Sequence, residues 1–342
     1  MDGKQTSANG RRGHWAPAAL AVLAACCCAA QADSSPVSAF DPGAVRLLDG
    51  PFRHAQDLDA AYLLTLEPDR LLAWFRKDAG LAPKAEPYGG WEQQGVAGHS
   101  AGHYLSACAY MFQATGDARF RERTAYMVEE LALCQEANGN GYVAAIPGGK
   151  EVFEKVARGE IASQGFDLNG SWVPWYTLHK LLAGLRDVHL LCGNGKALAV
   201  ARGLGDWAEE TTRNLTDEQW QKMLACEHGG MNEVLADLGA ITGEAKYPAL
   251  AEKFYHRAVL DPLAEGRDEL EGKHANTQFP KIIGCERIHQ LTGAEPFATI
   301  PPFFWETVTH SHSYATGGNS DDEHFGAPGK LSGRLGANTC ET

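Results

Sequence analysis

The sequence predicts an all-α fold, a toroid of helix hairpins of the (α/α)6 kind that is incomplete at its C-terminal end. Glycines recur behind apolar-periodic segments at Gly116, Gly193, Gly243 and Gly293, the last three spaced 50 residues apart. Phe120, Leu198, Tyr247 and Phe297 follow them and restart the apolar pattern. A glycine just past such a segment is the left-handed cap that ends a helix, so each unit reads as a helix hairpin. Strand signals are nearly absent, and a repeat of about 50 residues built from paired helices points to a toroid or solenoid. Six such hairpins need about 300 residues, and this chain supplies about five.

In chain order, the first segment is an export signal over residues 1–32. Lys4, Arg11 and Arg12 precede an apolar run from Ala16 to Ala25, which is too short to span a bilayer of roughly 30 Å. Ala30-Gln31-Ala32 has the small-x-small form of a cleavage site, and Leu23-Ala24-Ala25-Cys26 has the form of a lipoprotein box with Cys26 as the lipidated residue. Both readings place the protein outside the cytoplasm, secreted, periplasmic or membrane-anchored. A linker over residues 33–44 leads into Val45 to Phe52, which reads as a strand or extended arm. His54 to Phe75 is apolar at helical spacing and interrupted at Glu67-Pro68, giving a first helix pair.

The longer first gap of the repeat holds Asn138 to Tyr142, Ile146 to Gly149 and Phe166 to Trp172. It reads as an extended Gly- and Asn-rich rim loop, whose aromatics suit a sugar ring or pack among themselves.

The net charge of −13 argues against a nucleic-acid partner, because phosphate binding needs a basic face. Of nine cysteines, three lie in the signal. Cys108, Cys192 and Cys285 sit in helical apolar patterns, where cysteine is a small buried hydrophobe.

Histidines stand at telling places. His99 and His103 share one helical face at i, i+4. The glutamate of a zinc-binding H-E-x-x-H is missing, since Ser100 takes its position, so the pair reads as pocket lining or a buried hydrogen-bonded pair. His179, His228 and His274 occupy equivalent places in successive units, which directs them to one axis and one pocket. The acidic run Asp321-Asp322-Glu323 has three readings: a solvated loop, a calcium loop with Asn319 and Ser320, or a general acid whose carboxyl is kept protonated by like-charged neighbours.

The runs VRLLDGPFRHAQ, YLLTLEPDRLLAWFRKDAGL, YGGWEQQGVAGHSAGHYLSA, WYTLHKLLAGL and GLGANTCET, in that order, resemble glycoside hydrolase family 127 and its relative family 146, the β-L-arabinofuranosidases. The resemblance runs from about Val45 to the last residue. It implies an (α/α)6 catalytic barrel in retaining exo-enzymes that release L-arabinofuranose from plant glycans. It also implies a cysteine nucleophile held as thiolate on zinc by one glutamate and three cysteines, with a separate glutamate as acid/base. By position, Glu323 matches the acid/base, Glu341 the zinc-ligating glutamate, and His179, His228 and His274 the histidines of the sugar pocket. The motif's cysteine would be the next residue after Thr342, and Cys340 is on the wrong side of Glu341 to replace it. The 342-residue polypeptide is therefore expected to show no turnover and to bind zinc weakly or not at all. Two other readings are a non-catalytic carbohydrate-binding exported protein and another α/α-toroid enzyme, a lyase or epimerase.

Overall fold

The four punctuating glycines do in the structure what their positions predict. In the computed structural model, which describes residues 1–3, 40–93 and 95–332, Gly116, Gly193, Gly243 and Gly293 all have left-handed φ, between 66° and 75°. Each donates its N–H to the carbonyl four residues earlier, closing helices α3 (His99–Thr115), α6 (Pro174–Cys192), α9 (Met231–Thr242) and α12 (Ala275–Thr292). An L side chain is disfavoured at that φ, so glycine makes the stop sharp.

Successive members of this set pack on one another, α3 on α6, α6 on α9 and α9 on α12. The outer helices α4 (Ala118–Asn138), α7 (Gly195–Thr212) and α10 (Lys246–Lys253) pack on their own inner partners and on their outer neighbours. An outer helix returns the chain between each pair of inner ones, so the inner helices run parallel and their N-termini share one end. The fold is the all-α toroid type.

Two devices hold the inner wall together. The first is close backbone approach: Gly184 on α6 leaves room for the Gly102 carbonyl of α3, which a Cβ there would meet at 2.5 Å. The second is a partly buried ion network, in which Arg186 of α6 reaches Glu233 (3.0 Å) and Asp237 (2.6 Å) of α9, and Arg287 of α12 reaches Asp237 (2.6 Å). Three successive helices are thereby pinned in register, with charges that satisfy one another.

The first helix pair is α1 (Pro51–Thr65) and α2 (Pro68–Asp78), split at Glu67-Pro68 as the sequence indicates. The arm before it forms no strand: Pro51 opens α1 at the position where a missing N–H costs nothing, and Phe52 is already helical. The rim segment also differs from the predicted loop. It contains α5 (Gly149–Ala157), whose Val152, Phe153 and Val156 are buried at helical spacing, and an antiparallel meander of β1 (Ser163–Gln164), β2 (Asp167–Leu168) and β3 (Ser171–Trp172). Tyr142 and Phe153 pack inward, Phe153 lying 4.8 Å from Trp175 and 4.9 Å from Trp207, ring centre to ring centre, whereas Phe166 and Trp172 stay exposed. Two-residue strands are too short to carry an alternation, which is why the meander left no strand pattern.

Beyond these, α8 (Asp217–Leu224) starts in a capping box between Thr216 and Gln219, α11 (Arg257–Ala264) follows α10, and α13 (Ile300–Thr307) packs on α12 and α11. Residues 4–39, which hold all but the first three residues of the expected export signal and include Cys26, lie outside the described residues. No described helix is long and apolar enough to cross a membrane.

Candidate active site

Because the inner helices share an N-terminal end, the residues just before or inside their first turns are brought together there. His99 opens α3, Tyr176 and His179 lie in the first turns of α6, Glu227 and His228 precede α9, and His274 is the N-cap residue of α12.

The segment carrying Glu323 folds back onto this end. Phe325 is buried against Phe279, Phe304 and His312. Backbone bonds tie the segment to the entry of α12: the Ala275 N–H donates to the Glu323 carbonyl at 2.8 Å, and the Phe325 N–H to the Lys273 carbonyl at 2.9 Å. Asp322 and Glu323 hold left-handed φ of 45° and 67°, a strain that non-glycine residues keep only where the surroundings impose it. The outcome is a fixed position for the Glu323 side chain, which is 53% exposed and places Oε2 3.1 Å from His274 Nε2. Thr277 Oγ1 lies 2.9 Å from His274 Nδ1, so both ring nitrogens have partners. Gln278 Nε2 donates to the His274 carbonyl at 2.9 Å. A histidine is thus a close partner of this carboxyl.

Beneath this pair lies buried charge. Lys281 on α12 is 2% exposed and gives its ammonium to Gln278 Oε1 at 3.0 Å and His256 Nδ1 at 3.1 Å. Burial pushes its pKa from 10.5 to about 7, against the pull of Glu227. Burial likewise raises the Glu227 carboxyl above its ordinary range, although His274, Lys281 and Lys180 oppose the shift. The same effect, with Lys281 and Lys273 adding repulsion, lowers His256 to about 3, so it accepts a bond from Lys281 as neutral imidazole.

The three histidines singled out from sequence occupy this end but differ in setting. His274 is partly exposed and meets Glu323. His179 is buried against Gly229 and Gly230, leaves Nδ1 without a hydrogen bond, and is held well below the ordinary range by burial. His228 is fully buried against Phe254 and His256, with Nδ1 3.2 Å from the Cys226 carbonyl and Nε2 unpaired. His99 and His103 form an edge-to-face pair at 6.0 Å. His99 Nδ1 lies 2.6 Å from the Val96 carbonyl and 3.4 Å from buried Glu92. Trp91 and Tyr176 flank His99, each with its ring centre within 6.3 Å.

The sequence reading missed Glu227 and Lys281. A charged residue inside an apolar helical run, as in Phe279-Pro280-Lys281-Ile282-Ile283, was the available signal for the second. The Cys-Glu-His-Gly-Gly turn was the signal for the first.

The described residues do not fit the implied zinc. No group of three or more His, Cys, Asp and Glu is placed among them to hold a metal. Cys108, Cys134, Cys192, Cys226 and Cys285 are free, and burial raises their thiols, to about 11 for Cys108 and Cys134 and about 12 for Cys226 and Cys285. A buried thiol with a raised pKa is inert. Glu341 and Cys340 lie outside the described residues. A recess of about 1090 Å³ along α12 and α13 is lined mainly by apolar residues such as Phe279, Ile283, Pro301 and Trp305 and is not where the polar groups converge.

The chain was compared with known proteins. Residues 44–342 match the family described as β-L-arabinofuranosidase, GH127 catalytic domain. Among solved structures it is similar to Ara127N-Se, a GH127 β-L-arabinofuranosidase from Geobacillus stearothermophilus T6, at 15% identity and a TM-score of 0.55, over 81% of this chain and 47% of that one. It is also similar to BT3674, a GH127 β-arabinofuranosidase, at 16% identity and a TM-score of 0.54, over 80% of this chain and 43% of that one. This chain therefore spans less than half the length of either protein. No curated protein matched.

Proposed function

Since the chain belongs to the GH127 β-L-arabinofuranosidase catalytic-domain family, we propose that its pocket binds a terminal L-arabinofuranose of a plant glycan and that Glu323 is the acid/base of a retaining exo-hydrolysis. The observation that supports this most is the 3.1 Å contact between Glu323 and His274 on a strained, anchored segment. A general acid must be held within reach of the departing oxygen, and its conjugate base must be stabilised once the proton has gone. As a nucleophile, the thiolate that family membership implies, takes the anomeric carbon and the glycosidic C–O bond breaks, the Glu323 carboxyl would give its proton to the leaving oxygen. His274 Nε2–H would then donate to the carboxylate left behind, while Thr277 Oγ–H donates to Nδ1 and fixes that tautomer. In the second half-reaction the carboxylate would take a proton from the water whose oxygen bonds to the anomeric carbon as the nucleophile departs. His179 and the aromatic face of Tyr176 contribute a neutral, largely dry wall for a sugar ring.

Zinc on a cysteine nucleophile belongs to the same reading of the family, with Glu341 as the ligand this chain would contribute. No group of three or more potential metal ligands is placed among the described residues. Export through residues 1–32, with a lipid on Cys26 as one form, completes the proposal, and mass spectrometry of the mature N-terminus tests it.

The functional test is calorimetric titration of the full chain. Titration with methyl β-L-arabinofuranoside is expected to saturate, and the α-anomer to bind more weakly. Absence of β-anomer binding would overturn the pocket assignment.

A further inference from the structure

Glu227 stands among the polar groups of the site without a bond of its own. Its backbone is fixed, the N–H donating to the Gly165 carbonyl at 2.8 Å, and the next residues, His228 to Gly230, pack tightly beneath His179. The residue is 9% exposed, yet no described group donates a hydrogen bond to its carboxyl. Charged and titratable groups from every neighbouring element face it: Tyr176 and Lys180 from α6, His274 and Lys281 from α12, Cys226 from its own loop and Glu323 from the returning segment.

A plain structural role would make it the buried counter-ion of Lys281. The lysine, however, directs its hydrogen bonds to Gln278 and His256 and none to Glu227. The Glu227 carboxyl oxygens are not among the fully buried polar atoms left without a partner, so they keep contact with solvent and can be reached by a ligand, although a carboxyl this far removed from water without a protein donor is costly. Sites that keep such a group open are sites where a ligand supplies the missing partner. Three of the groups ringing Glu227, namely Tyr176, His274 and Glu323, are also assigned to the sugar pocket, so the missing partner is the hydroxyl-bearing ring itself.

We infer that Glu227 is a specificity-determining residue that contacts the bound furanose directly, its carboxyl hydrogen-bonding a ring hydroxyl beside the Glu323–His274 pair. This rests on the reading that the pocket holds an arabinofuranoside. The carboxyl acts as a hydrogen-bonding group, so an amide of the same shape replaces it better than a methyl group does.

The experiment is calorimetric titration of the full chain, wild type, E227Q and E227A, with methyl β-L-arabinofuranoside and its 2-deoxy and 3-deoxy analogues. Thermal melts confirm that each variant is folded. E227A is expected to weaken binding of the parent sugar about tenfold or more, and E227Q by less than E227A. One of the two deoxy analogues is expected to bind wild type and E227A alike, because it lacks the hydroxyl that Glu227 holds. A merely structural glutamate would instead lower the affinity for all three sugars by the same factor, and that result overturns the inference while leaving the sugar pocket standing. Wild-type protein that binds none of the three overturns both.

Discussion

Replacing Gly184 with alanine tests the packing that sets the site. A Cβ at residue 184 would lie 2.5 Å from the Gly102 carbonyl oxygen and 2.9 Å from Leu105 Cβ, where ordinary contact begins at 3.4 Å. Gly102 meets it with backbone, so the neighbour cannot turn aside, and α3 and α6 must part by about 0.9 Å along that line. Overpacking a tight interior costs roughly 1–3 kcal/mol, and a backbone-on-backbone clash belongs at the upper end. Removing a glycine from a helix interior returns about 1 kcal/mol. The net expectation is a loss of about 2 kcal/mol, and at about 2 °C per kcal/mol for a chain this large the melting temperature falls by about 4 °C. G195A serves as the control, because that Cβ meets nothing within 4 Å. It is expected to leave stability unchanged or raise it by about 0.5 kcal/mol. Differential scanning calorimetry of the two variants decides. If G184A melts with G195A, the inner helices are not in the close contact described. Because His179 sits on the same helix, G184A is also expected to weaken sugar binding.

Three further substitutions follow from other parts of the molecule. Lys281 is held at about 7 in the fold against 10.5 unfolded, so the unfolded chain binds the extra proton between those values and stability rises with pH across that window. K281M is expected to lack that rise, which urea unfolding at pH 6.5 and 9.5 would show as a wild-type-minus-variant difference of about 3 kcal/mol between the two pH values. Asp78 is raised from 3.8 to about 6, first by burial, with Lys150 opposing, so its ionised form is disfavoured in the fold and stability drops as pH climbs through about 6. D78N is expected to be about 1–3 kcal/mol more stable than wild type at pH 7.5 and no more stable at pH 3.5. T216A removes the capping box of α8 and is expected to cost about 1 kcal/mol in chemical denaturation.

The hairpin repeat was legible because its punctuation is local. A glycine that must adopt a left-handed φ is a property of four or five residues, and Gly116, Gly193, Gly243 and Gly293 show it in both sequence and structure. The break between α1 and α2 at Pro68 was legible for the same reason. The rim segment was not, because α5 spans only nine residues and each strand two. His179, His228 and His274 could be placed at one end of the fold from their spacing. Their differing burial could not, since it depends on which ring packs under which glycine or phenylalanine across the repeat. Glu227 and Lys281 illustrate the same limit. Each looks like an ordinary charged residue until α6, α12 and the segment around Glu323 close around it.

The central claim, that the furanose sits against Glu323 and His274 at the N-terminal end of the inner helices, is tested most directly by a crystal of the full chain soaked with methyl β-L-arabinofuranoside. One ordered sugar is expected, with its anomeric oxygen within hydrogen-bond distance of the Glu323 carboxyl and its ring between His179 and His274. A sugar bound only in the apolar recess along α12 and α13, or ordered at that end but out of reach of Glu323, would contradict it.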